Sequence, residues 1–96
     1  MKTTVFDEAD YLKTEEDMAA YVTEALATGD TAVIAHALGV IARTRGMSRI
    51  ASETGLSRES LYRALSAEGN PEFTTVLRIM EAVGLRLTAE PATKAA

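Results

Sequence analysis

The side chains best equipped for chemistry crowd into one stretch. Arg43, Arg45, Ser48, Arg49, Ser57, Arg58, Glu59, Ser60, Tyr62 and Arg63 all fall within residues 43–63. Their types suit hydrogen bonding and ion pairing rather than bond making. An arginine can contact guanine O6 and N7 in a bidentate manner, a carboxylate such as Glu59 can accept from cytosine N4, and hydroxyls and further arginines suit phosphate oxygens. The stretch carries five arginines against Glu53 and Glu59, a local charge of +3 within a chain of net charge −4.

Such side chains act together only if the backbone presents them on one face. Two helices meeting at a steep angle need a small residue where they pack, a turn residue able to take φ > 0, and apolar residues inside the joint. The segment MSRIASETGLSRESLYRAL supplies Ala51 as the small residue, Gly55 as the turn, Leu56 inside it, and Ile50 and Leu61 toward a core. This spacing predicts a helix-turn-helix, with one helix over 48–54 and a second from Arg58 to about Glu68, capped by Ser57. In that arrangement the second helix enters the DNA major groove, and Arg58, Glu59, Tyr62 and Arg63 reach base edges. Ser48, Ser57, Ser60 and the free N–H groups at the helix starts would face phosphates, supported by Arg43, Arg45 and Arg49. The same spacing fits a plain helix pair with a solvated face on which Glu59 pairs with Arg63 at i,i+4. Tyr62 suits a core or interface as well as a base contact.

Around this segment the punctuation is helical. Thr14 with Asp17 reads as a capping signal for a helix that ends at Gly29, with Met18, Val22 and Leu26 as its apolar stripe. Asp30 caps a second helix, in which Val33, Ile34, Ala37, Leu38 and Ile41 recur before Gly46. Gly69, Asn70 and Pro71 break the chain, after which Thr74 or Thr75 can cap a last helix carrying Val76, Leu77, Ile79, Met80 and Val83 and closing at Gly84. Leu85 to Ala89 alternates with period two, as a short strand would, and PATKAA reads as a frayed, disordered tail over 91–96. The expected fold is all-α, with about five helices around the helix-turn-helix and a short C-terminal strand. Residues 1–29 form an acidic segment and helix packed on a DNA-binding domain at 30–90.

With 96 residues, 47% hydrophobic and 25% charged, the chain is one soluble domain's worth of sequence. It has no cysteine, which excludes disulfides and thiolate metal sites. A single His36 on an alanine-rich helix, no metal-ligand cluster and no phosphate-binding glycine loop argue against an enzyme, and no cofactor is expected. The start MKTTVFDEAD lacks the apolar core of a signal peptide, and no apolar run is long enough to span a bilayer, so a cytoplasmic location is expected. Residues 1–30 hold eight acids against Lys2 and Lys13, a net of −6, while the rest is +2. Glu15, Glu16, Asp17 and Glu24 are either an ordinary solvated helix face or a surface that steers a basic partner. Phe6, Tyr11 and Leu12, just ahead of that helix, are its packing anchors or apolar contacts for the partner.

The run ALGVIARTRGMSRIASETGLSRESLYRALSAEGNPEFTTVLRIMEAVGLRL, with FDEADYL and ALATGD upstream, resembles the Xre-type, HigA-like addiction-module antidote proteins over roughly residues 5–88. IARTRGM, TGLSRESLYRALS and GNPEFTTV carry the resemblance more specifically than a bare helix-turn-helix pattern. The resemblance implies a Cro/lambda-repressor-like fold and an antitoxin that neutralises a small RelE/HigB-like toxin. It also implies a homodimer that represses its own operon on double-stranded operator DNA. Where such repressors often carry a phosphate-gripping glutamine at the start of the first helix, this chain has Met47 and Ser48. A stand-alone, phage-like repressor without a toxin, and an interaction module that no longer binds DNA, are the competing readings.

Overall fold

Local capping chemistry sets most of the helix boundaries. The computed structural model describes residues 12–66 and 68–92. Among them are five helices and no strand: α1 (Glu15–Ala27), α2 (Thr31–Arg45), α3 (Met47–Thr54), α4 (Arg58–Ala64) and α5 (Phe73–Ala82). Thr14 and Asp17 close a capping box, Asp17 N–H donating to Thr14 Oγ1 at 3.0 Å and Thr14 N–H to Asp17 Oδ2 at 3.2 Å. Two orphan donors of α1 are thereby satisfied, and three acids in its first turn complement the helix dipole. Asp30 caps α2 by accepting from Ala32 N–H at 2.9 Å. Gly46, at φ 102°, ends α2 and starts α3 with no residue between.

α2 is the central helix, buried over Ala37–Ala42. Leu38, Val40 and Ile41 from α2 meet Ile50 from α3, Leu61 from α4, and Ile79 and Val83 from the α5 end, all fully buried. Leu12, Met18 and Val22 join the same cluster, so α1 shares this core. Leu12 is thus a packing anchor, while Phe6 and Tyr11 lie outside the described residues.

Several expectations give way to tertiary packing. Near the end of α1 the buried position is Ala25, and Leu26 is 38% exposed. On α2 Val33 is exposed too. α4 stops at Ala64 instead of running toward Glu68, because the chain folds back over its end: Gly69 N–H donates to Ser66 O at 2.8 Å, and a Cβ on Gly69 would collide with the Ala64 carbonyl. α5 begins at Phe73, before either threonine, with Glu72 as a cap that makes no side-chain hydrogen bond. The expected strand at 85–89 is absent. Leu85 N–H donates to Met80 O at 2.8 Å, and Leu85 and Leu87 lean half-buried on the core. Beyond that bond the segment has no ladder partner among the described residues, and a strand exists only as part of a ladder. The tail expected over 91–96 is described only at Pro91 and Ala92.

Candidate nucleic-acid interface

The joint between α3 and α4 is built from backbone and short side chains. Gly55 sits at φ 79°, ψ 11°, the left-handed conformation expected of the turn residue, and its N–H donates to Ala51 O at 3.0 Å. Ala51, Ile50 and Leu61 are buried and Leu56 is half-buried, so the apolar residues of the spacing pattern do lie inside the joint. Thr54, which the spacing did not single out, is the one buried polar residue described. Its hydroxyl donates to Ala51 O at 3.3 Å and accepts from Leu56 N–H at 3.4 Å, bridging the end of α3 to the turn. Arg78 reaches over from α5 and donates to Thr54 O at 3.3 Å. Ser57 then caps α4, accepting from Ser60 N–H at 3.0 Å.

This frame turns Arg58, Glu59, Tyr62 and Arg63 outward together, all exposed. They are paired along the helix. Arg58 donates to the Tyr62 hydroxyl at 3.3 Å with its guanidinium carbon 5.8 Å from the ring centroid, and Arg63 lies 3.6 Å from Glu59. The Glu59 and Arg63 side chains are 86% and 70% exposed, a setting in which an ion pair contributes about 0.2–1 kcal/mol. Breaking the Glu59–Arg63 pair therefore costs little.

The remaining polar residues divide. Ser48 and Ser57 are exposed, Ser60 is half-buried, and Arg43 is exposed with no ion pair among the described residues. Arg49 pairs with Glu53 at 3.1 Å on the surface of α3. Arg45, grouped by sequence with the phosphate-facing arginines, is turned elsewhere: one guanidinium nitrogen lies 3.2 Å from both Glu15 Oε2 and Val83 O, and its side chain is 24% exposed. It ties the start of α1 and the end of α5 to α2. A Cβ on Gly84, at φ 86°, would overlap the Glu15 carboxylate, so this glycine makes room for the tie.

That tie also divides the acids of α1. Glu15 is engaged with Arg45, and Asp17 is half-buried in the capping box, accepting from Lys13 N–H at 3.1 Å as well. Glu16 and Glu24 are exposed and make no ion pair among the described residues. His36 is exposed on α2. No helix among the described residues is long and apolar enough to cross a membrane.

No solved structure matches the chain. An uncharacterised protein of Haemophilus influenzae is 46% identical over 85 residues, which span 88% of this chain and 88% of that protein. A family model described as "probable addiction module antidote protein" matches residues 2–91, taking in the α3–α4 joint, the acidic helix and the extended end alike. Nearly the whole length is matched by that model, and the chain therefore belongs to the family of probable addiction module antidote proteins.

Proposed function

We propose that the protein is the antitoxin of a type II toxin-antitoxin module, which binds a RelE/HigB-like toxin directly and represses its own operon as a HigA-like, Xre-type helix-turn-helix dimer. Family membership supports the antidote role, and the observation that carries the DNA-binding half is the α3–Gly55–α4 joint. Its buried side is closed by Ile50, Ala51 and Leu61, which leaves Arg58, Glu59, Tyr62 and Arg63 as one exposed face. Placed in a major groove, Arg58 and Arg63 read guanine edges and Glu59 accepts from cytosine N4, while Tyr62 holds Arg58 or contacts a base itself. Ser48, Ser57, Ser60, Arg43 and Arg49 line the flanks toward phosphates. Arg45 is reassigned from phosphate contact to bracing the fold. Toward the toxin, Glu16 and Glu24 are the acids free to steer a basic partner, with Glu15 and Asp17 serving α1 itself.

Growth decides the antidote half. The small reading frame beside the gene is induced in bacteria with and without this protein. Toxicity relieved by the protein supports the proposal. If no toxicity appears, or if the protein fails to relieve it, a stand-alone repressor is the better reading. Gel-shift titration with the upstream DNA decides the other half, and equal affinity for that DNA and random sequence would overturn it.

A further inference from the structure

Residues 85–90 have the pattern of a strand and lack the ladder. Leu85 and Leu87 lean half-buried on the core while Arg86 and Thr88 are exposed, the two-residue period of a pleated edge, and Ala89 and Glu90 beyond them are both exposed. Apart from Leu85 N–H to Met80 O, no backbone hydrogen bond is made by this segment among the described residues. That bond is the C-terminal cap of α5, closed over Gly84 at φ 86°, and it leaves the N–H and C=O groups of residues 86–90 without a backbone partner among the described residues. An exposed row of this kind is a template for another strand.

We propose that this edge pairs, antiparallel, with the same segment of a second copy about a two-fold axis at Thr88. The proposal rests on the dimeric reading above and specifies how the dimer closes. Directly opposed residues in an antiparallel pair share a face, so outward residues must oppose outward ones. Centring on Arg86 would oppose two arginines, and centring on Glu90 would oppose two glutamates. Centring on Thr88 sets Arg86 of each copy against Glu90 of the other, so both ion pairs form at once, and sets Leu87 against Ala89 and Leu85 against Pro91. In the same register Pro91 falls in a non-hydrogen-bonded pair with Leu85, where its missing N–H costs no ladder bond. With Thr88 as a hydrogen-bonded pair, the charge pairing and the proline agree with this register.

Single-cysteine variants of the full chain test it, since the native sequence has none. Opposed Cα atoms in a hydrogen-bonded pair stand about 5.5 Å apart, within disulfide range. Thr88→Cys should link to itself under mild oxidation. Arg86→Cys alone and Glu90→Cys alone should not, because four residues along the strand separate each from its own copy by roughly 13 Å; mixed together, those two should link. Sedimentation supplies the second readout: Arg86→Glu should raise the dimer dissociation constant about tenfold or more by opposing like charges twice, and adding Glu90→Arg should restore it. A dimer in which Thr88→Cys stays unlinked and Arg86→Glu has no effect overturns the strand pairing and leaves the dimeric reading standing. A monomer that still binds operator overturns both. Loss of toxin binding by Arg86→Glu with an unchanged dimer constant would assign the edge to the toxin and overturn the pairing.

Discussion

Arg45 and Arg63 each lie close to a glutamate, at 3.2 Å and 3.6 Å, yet the two pairs do opposite things. Arg63 and Glu59 are one helical turn apart on α4 and largely exposed, so their contact is made by the helix alone. Arg45 is largely covered and joins Glu15, 30 residues earlier, to Val83, 38 residues later. One arginine is held by the fold and the other is presented by it. Residue type and local spacing treat them alike; only the tertiary surroundings separate a brace from a candidate contact.

The contrast breaks most severely beneath the presented face. Leu61 is fully buried on the inner side of α4, and Leu61→Ala removes its packing where α4 meets the core. Losses of about 2–5 kcal/mol are typical of such a site, and chemical denaturation should show a loss in that range. Operator binding should fall with it, because a loosened α4 no longer presents its outer residues as a set. Stability near that of the native chain would mean that α4 is not anchored through Leu61.

On the outer side the effect should move from stability to affinity. Arg58→Ala should weaken operator binding by about 1–3 kcal/mol and relax discrimination at its base pair. Arg49→Ala should weaken all sequences alike and flatten the salt dependence. Quantitative gel shifts at several salt concentrations distinguish the two. Identical losses on operator and random DNA for both variants would refute the separation of base from phosphate contacts.

For the brace, Arg45→Ala leaves the Val83 carbonyl without this donor and Glu15 without its partner. A cost of about 1–2 kcal/mol in unfolding free energy is expected, with little change in operator affinity once the folded fraction is accounted for. Gly84→Ala should act in the same direction, since its φ of 86° is strained for alanine and the new methyl would push against Glu15. A marked loss of DNA affinity by folded Arg45→Ala would return this residue to the phosphate-contacting group.

What the sequence makes legible follows the range of the interaction. Thr14 with Asp17, Asp30, Gly46, Gly55 and Ser57 mark their boundaries correctly because each acts within about one turn of its own position. The buried trio Ile50, Ala51 and Leu61 is legible for the same reason. Arg78 on Thr54 spans 24 residues, and the Arg45 tie spans more, so no local signal announces either. The end of α4 is not legible, because it depends on Gly69 folding back, a packing event that helix propensity does not encode. The alternation expected over 85–89 holds for 85–88 and ends at the exposed Ala89, and it forms no strand because periodicity alone does not specify a ladder partner.

The smallest expected effect bears most directly on the opening contrast. Arg63→Ala removes an exposed, one-turn ion pair, and surface substitutions of this kind usually shift stability by no more than about 0.5 kcal/mol. Denaturation midpoints for Arg63→Ala and the native protein should therefore nearly coincide, while operator affinity falls by about 1–3 kcal/mol. Near-neutral stability combined with lost specific binding is the signature of a presented side chain, as lost stability with retained binding is that of a brace. Glu59→Gln gives the cross-check: if the pair only orders Arg63, this substitution should slightly loosen Arg63 without changing base preference. If Glu59 itself accepts from cytosine, the preference at that position should change. A stability loss for Arg63→Ala as large as that for Arg45→Ala would erase the distinction, because α4 would then depend on its outer face as much as on its buried one.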